Sequence, residues 1–163
     1  MASLAPLPPG TAWWPGVRDP AGGDLVLHGD LAPWNIVVDG DRWTIIDWDG
    51  VAPGRPAWEL AYVLHTFVPL WPDSPFDDAE IAHRIAVFAE AYGAGAPLIE
   101  EALTLVPART RALAAATAAG AQAGDPALAR LHAGGHTQLW LDAADHVEQR
   151  MAAWQPSGPT RSA

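Results

Sequence analysis

Residues 25–49 read LVLHGDLAPWNIVVDGDRWTIIDWD, and how this stretch folds decides the rest of the chain. Leu25-Val26-Leu27 is a short apolar run of the length of a buried strand. Ile36-Val37-Val38 is β-branched, Asp39-Gly40-Asp41 carries an Asp-Gly turn signal, and Trp43-Thr44-Ile45-Ile46 returns as a partner strand, so a β-hairpin is expected. That hairpin brings Asn35, at the start of its first strand, and Asp47, at the end of its second, to one end. An Asp or Asn standing alone usually marks a turn. The joint spacing of Asp30, Asn35 and Asp47 overrides that reading, because hard oxygen ligands gathered at one place suit Mg²⁺.

Asp30 and Asn35 stand five positions apart in His28-Gly29-Asp30-Leu31-Ala32-Pro33-Trp34-Asn35, the spacing of the kinase catalytic loop H-R-D-x-x-x-x-N. With Ile46-Asp47-Trp48-Asp49 and Pro56-Ala57-Trp58-Glu59-Leu60-Ala61 the stretch resembles the aminoglycoside phosphotransferase family. That family's signature is H-G-D-x-x-x-x-N, then I-D-[WF]-[DE], then P-x-x-D-L-A, and Glu59 stands here in place of the usual Asp. The resemblance runs from about Trp13 to Pro72. It implies transfer of the γ-phosphoryl group of ATP or GTP to a hydroxyl of a small molecule. On that implication Asp30 is the catalytic base or hydroxyl-orienting group. Asn35 and Asp47 are the ligands of Mg²⁺ and the nucleotide, Asp49 is a further metal contact through water or a cap of the next loop, and His28 and Gly29 support the loop.

The acceptor is expected to be small rather than a peptide. Gly29 replaces the Arg that regulated protein kinases use to hold a phosphorylated activation loop, and only twelve positions, with no A-P-E, separate Asp47 from Glu59. The formal charge of −10 argues against nucleic acid or an anionic membrane as partner and is compatible with a cationic, hydroxylated substrate. With 50% hydrophobic and 17% charged residues, 163 residues make one globular domain's worth of chain. No cysteine is present, so disulfides and thiolate zinc sites are excluded. No run of ~20 apolar residues and no signal-peptide pattern occurs, which makes a cytoplasmic protein the default expectation.

All nine basic residues are arginine. A kinase fold grips the nucleotide phosphates with a strand lysine, and the 27 residues before His28 contain neither lysine nor a G-x-G-x-x-G. The expectation is therefore a kinase-like C-terminal lobe without the nucleotide-clamping lobe, with weak nucleotide binding and no turnover by itself. The missing lobe would lie upstream, come from another chain, or have been lost. A non-catalytic binding module of the same fold is the alternative. A metal-dependent hydrolase built on His28, Asp30 and Asp47 is the weaker third reading, since the ligands are oxygen-rich and lack a histidine cluster.

Outside this stretch the chain reads as α+β with a mainly helical body. Residues 1–23 are a Pro/Gly-rich irregular lead-in with Trp13 and Trp14 docked on the body, residues 24–155 the phosphotransferase lobe, and 156–163 a frayed tail. Helices are expected from Trp58 for about ten residues, from Asp77 to a stop at Gly93, from Pro97 to Leu105, from Pro107 to Ala123, from an Asp125 cap, and from Gly135 to Trp154 with Leu139, Ala143, Val147 and Met151 on its apolar face. Substrate contacts are expected from the helical region, with the acids from Asp73 to Asp78 and Glu100 and Glu101 as candidates. The His132/His136 pair has metal-ligand spacing, but Gly134-Gly135 breaks the helix between them and the histidines read as ordinary side chains.

Overall fold

Four short strands and five helices follow one another along residues 17–154, the part of the chain that the computed structural model describes. Trp13, Trp14 and the 156–163 tail lie outside it. The hairpin forms as read: β2 (Ile36–Asp39) pairs antiparallel with β3 (Arg42–Ile45), with Ile36 opposite Ile45 and Asp39 opposite Arg42. Gly40 turns it at φ 57°, a conformation that costs glycine nothing.

The apolar run forms β1 (Leu25–Leu27), but it is not a buried strand. Its partner is β4 (Ala52–Gly54), which carries no strand signal because Pro53 and Gly54 are strand-poor residues. A two-stranded ribbon has one exposed side, so Leu25 is 46% exposed and only Leu27 reaches the core. The ribbon ties together the two ends of the segment that carries His28 to Asp49.

Pro56 at the first helical position starts α1 (Pro56–Phe67), which runs twelve residues. Ten consecutive residues, Ala57 to Thr66, are buried, so α1 is a core helix enclosed all round. Asp77 caps α2 (Asp78–Tyr92) by accepting from the Glu80 amide at 2.9 Å, and Gly93 ends it at φ 72°. Both ends fall where the sequence places them.

The two helices expected between Pro97 and Ala123 are one, α3 (Ala96–Gln122), with Pro107 inside it. A proline there removes one backbone bond and normally breaks a helix at about 3 kcal/mol. Here a single buried stripe, Ile99, Leu103, Val106, Thr110, Leu113 and Thr117, crosses the proline without a change of face. Packing of that stripe against α1 on one side and the last helix on the other offsets the local cost. Asp125 caps α4 (Pro126–Ala133) through the Ala127 and Leu128 amides at 2.8 and 3.0 Å. In α5 (His136–Trp154) Ala143, Ala144, Val147 and Trp154 are buried, whereas Leu139, expected on the apolar face, is 56% exposed.

Two apolar clusters result. The larger joins α1, α2, α3 and α5 through Leu60, Leu64, Ile85, Leu103, Val106 and Trp154. The smaller, Val17, Leu27, Ala32, Trp58, Tyr62 and Leu113, is where the strands and their loops sit on α1 and α3. The segment before β1 is pinned there too. The Trp58 indole donates to the Val17 carbonyl at 3.0 Å, and the buried Asp19 carboxylate accepts from Arg55 Nε at 2.8 Å and Nη2 at 3.1 Å. Burial opposes ionisation of Asp19, yet its hydrogen bonds to Arg55 and Ala21 hold its carboxyl below the usual range. Small antiparallel sheets beside a helical body make the chain α+β. No helix among the described residues is long and apolar enough to cross a membrane.

Candidate active site

β1 hands the chain to His28 and Gly29, and the Gly29 peptide is where core helices take hold of the loop. Gly29 sits at φ 81°, and a Cβ there would fall 2.2 Å from the Gly50 carbonyl oxygen, so only glycine fits. Its amide donates to both Glu59 oxygens at 3.1 and 3.3 Å, and its carbonyl accepts from Arg109 Nη2. Glu59 comes from α1 and Arg109 from α3, so a buried acid and a buried cation hold one peptide from both sides.

Burial raises the Glu59 carboxyl above its ordinary value, opposed by the Gly29 hydrogen bond and the Arg109 charge. Burial likewise pushes the Arg109 guanidinium down to about 10, which still leaves it charged at neutral pH. Arg109 is fully buried, and its Nε and Nη1 have no hydrogen-bond partner. The rings of Tyr62 and Trp58, centred 4.7 and 5.6 Å from its Cζ, supply the remaining stabilisation of that charge.

His28 joins loop and hairpin. Its Nδ1 accepts from the Asp30 amide at 3.2 Å, which fixes the tautomer, and Nε2–H therefore donates to the Ile46 carbonyl at 2.9 Å. Both ring nitrogens are occupied, so neither is left for a metal or for proton abstraction. That arrangement removes the histidine from the hydrolase reading.

Asn35 is buried and donates its Nδ2 to the Asp30 carbonyl at 2.8 Å and to Asp30 Oδ2 at 2.8 Å. Both partners are acceptors, so only this amide orientation works, and Oδ1 remains the atom with which Asn35 accepts or ligates. The Tyr62 phenol borders the same cavity as Asp30; burial, and then the Asp30 charge, push it far above its ordinary value and keep it protonated. Asp30 is thus oriented by its own loop, through Asn35.

Asp47 reaches the same end of the hairpin. The Ile46 amide donates to the Asn35 carbonyl at 3.0 Å, one pair beyond the β2–β3 ladder, and Asp47 is next in line. It adopts φ 63°, ψ 61° and is the one non-glycine residue at positive φ among those described. Such a conformation costs of order 1 kcal/mol and persists where the surroundings enforce it. The short 3₁₀ turn Trp48–Gly50, held by the Trp48 indole on the Ile45 carbonyl at 3.0 Å, follows immediately.

Gly29, Asp30, Trp34, Asp47, Asp49 and Gly50 border a cavity of about 520 Å³, whereas Asn35, buried and bonded to Asp30, is not among its lining residues. Further lining comes from α3, α4 and α5, through Leu113, Thr117, Leu128, Leu131 and Trp140. The acids expected to meet substrate are placed otherwise. Asp77 caps α2, Asp78 accepts from Arg150 and Trp154, and Glu101 pairs with Arg55 at 2.6 Å. None of the acids from Asp73 to Asp78, nor Glu100 or Glu101, lines the cavity. Among the described residues no group of three or more His, Asp or Glu side chains is arranged to hold a metal ion. A cation here would rely on the Asn35 amide oxygen, carboxylates at the loop end and water, a donor set that fits Mg²⁺, which keeps several waters.

Tyr62 and Arg109 were not legible as site residues. Tyr62 reads only as one more large side chain of an apolar helix, and the signal for Arg109, one of two nearby arginines in an apolar helix stretch, does not say what it faces. A sequence profile described as the phosphotransferase enzyme family matches residues 9–98, more than half of the chain. No curated protein and no solved structure matches it.

Proposed function

The chain belongs to the phosphotransferase enzyme family, and from that premise we propose that its cavity transfers the γ-phosphoryl group of ATP or GTP to a hydroxyl of a small molecule. Asp30 accepts or orients the hydroxyl proton as the acceptor oxygen forms its bond to Pγ, the bond from Pγ to the β,γ-bridging oxygen breaks, and the nucleoside diphosphate leaves. Asn35 through Oδ1 and Asp47 through its carboxylate are the residues that would hold Mg²⁺, with Asp49 in reach of the same cavity. Bound there, the ion neutralises charge on the phosphate oxygens. The observation that carries this reading is the double hydrogen bond from Asn35 Nδ2 to Asp30, which locks the two residues five positions apart and leaves the amide oxygen as the remaining acceptor.

The proposal extends to architecture. Residues 24–155 act as the C-terminal lobe of a kinase-like fold. The hairpin supports this, since Val37, Val38, Trp43, Ile45 and Ile46 are each at least 40% exposed on a small two-stranded sheet. A nucleotide-clamping lobe bearing the phosphate-gripping lysine would cover that surface, whichever chain supplies it.

Calorimetric titration of nucleotide into the purified chain, with and without Mg²⁺, tests the function. Binding is expected to be weak and to require Mg²⁺, and Asp47→Asn, which removes one charged ligand at constant volume, should abolish the Mg²⁺ dependence while leaving the circular dichroism spectrum unchanged. Equal affinity of parent and variant at saturating Mg²⁺ contradicts the assignment.

A further inference from the structure

The helical side of the cavity carries chemistry that family membership does not assign, because Leu113, Thr117, Leu128, Leu131 and Trp140 all lie beyond the matched residues 9–98. Three elements build it. α3 supplies Leu113 and Thr117, α4 supplies Leu128 and Leu131, and α5 supplies Trp140, which also packs on the cluster of Leu27, Trp58 and Tyr62. His136 completes it, with Nδ1 on the Leu131 carbonyl at 3.2 Å and its ring 5.9 Å from that of Trp140.

A polycationic acceptor needs carboxylates spaced along its length, and this side offers none. The acids of its helices do not line it, and most are engaged elsewhere: Asp125 caps α4, Asp142 accepts from Gln138 at 2.8 Å, Asp145 and Glu148 hold Arg111, and Glu101 pairs with Arg55. The carboxylates that do line the cavity, Asp30, Asp47 and Asp49, all come from the loop and hairpin end, where the phosphoryl chemistry is proposed. An ammonium lodged among the leucines would lose its hydration with no carboxylate to replace it, whereas an apolar ring there gains from burial. A volume of about 520 Å³ lies within the range of small-molecule sites and has room for such a body beside the transferred group.

We propose that the acceptor is a neutral alcohol with a flat, apolar body that packs between Trp140 and the leucines of α4, its hydroxyl directed to Asp30 and Tyr62. This rests on the phosphotransferase reading for what happens to the hydroxyl. The shape and polarity of the site stand independently of it. Trp140 is then the main specificity-determining residue, because an indole face stacks on flat rings of either orientation.

The test is equilibrium binding to the purified chain by ligand-observed NMR, with three probes: 2-(2-naphthyl)ethanol, methyl glucoside and glucosamine. The naphthyl alcohol should bind at least about tenfold tighter than the other two and show no dependence on salt, since no ion pair is involved. Trp140→Ala should weaken it about tenfold, while Trp140→Phe should stay within about threefold. Leu131→Ser serves as a second variant on the same side, and near-ultraviolet dichroism checks that each variant is folded. Tighter binding of glucosamine that falls with salt, absence of saturable naphthyl alcohol binding, or unchanged affinity in both Trp140→Ala and Leu131→Ser would overturn the proposal. The phosphotransferase reading fails by a different result, nucleotide binding that ignores Mg²⁺, which leaves these acceptor measurements as they are.

Discussion

Asp30→Ala, in any form of the protein that turns over, is expected to lower kcat by about 10²–10⁴-fold with a far smaller change in KM. The asymmetry follows from where the carboxylate acts. On the proposed function it meets the acceptor hydroxyl as the proton is lost, whereas the surface proposed for the acceptor body is built by other cavity residues, from α3, α4 and α5. Two hydrogen bonds from Asn35, one to the Asp30 carbonyl and one to Oδ2, fix its orientation in advance, and positioning of this kind is the main protein contribution to phosphoryl transfer. Steady-state kinetics against a fixed acceptor would show it. A loss under about tenfold would reduce Asp30 to a loop residue.

Arg109→Leu is expected to destabilise the fold by about 1–3 kcal/mol, because it leaves the Gly29 carbonyl without its donor and removes a positive charge that favours the buried Glu59 carboxylate. The effect should depend on pH in a definite sense. Glu59 already has a raised pKa from burial, and removing Arg109 raises it further. A carboxyl whose folded pKa exceeds its unfolded value favours the folded state at low pH, and that contribution disappears as pH rises through the unfolded pKa towards the folded one. The variant should therefore recover part of its lost stability when urea titrations are moved from neutral to mildly acidic pH, relative to the parent. A deficit below about 1 kcal/mol that is indifferent to pH would mean that Arg109 is merely tolerated, not holding the loop.

The parts of this fold that could be read from the sequence are those whose determinants are local. The hairpin announces itself through β-branched runs around Asp39-Gly40, and Asp77, Gly93 and Asp125 mark helix ends because a carboxylate cap and a left-handed glycine act within three residues. The pairing of Asp30 with Asn35 was legible for the same reason, since a five-residue loop fixes both ends. Decisions made by tertiary packing were not. Pro107 looks like a helix break and is carried through one because the stripes on either side of it share a groove between α1 and α5. Leu139 is exposed although its spacing fits the stripe, because the face that α5 turns inward is set by Ala143, Ala144, Val147 and Trp154 against α3. Arg109 lies eighty residues from the glycine it holds, and no pattern within α3 says which loop that helix will cross. Nor does the sequence say that Asp78 and Glu101, among the acids expected to meet substrate, pair with Arg150 and Arg55.

Titrating Mn²⁺ into the isotopically labelled chain and following the loss of amide signals tests whether Asn35 and Asp47 hold a divalent cation beside Asp30. Mn²⁺ takes the same oxygen ligands as Mg²⁺ and broadens the resonances nearest to it. The account requires that Asn35, Ile46, Asp47 and Trp48 broaden first, that excess Mg²⁺ restores them, and that Asp47→Asn removes the effect. Broadening that begins at the surface acids Asp145 and Glu148 or Asp77 and Glu80, with the hairpin end untouched, would contradict it.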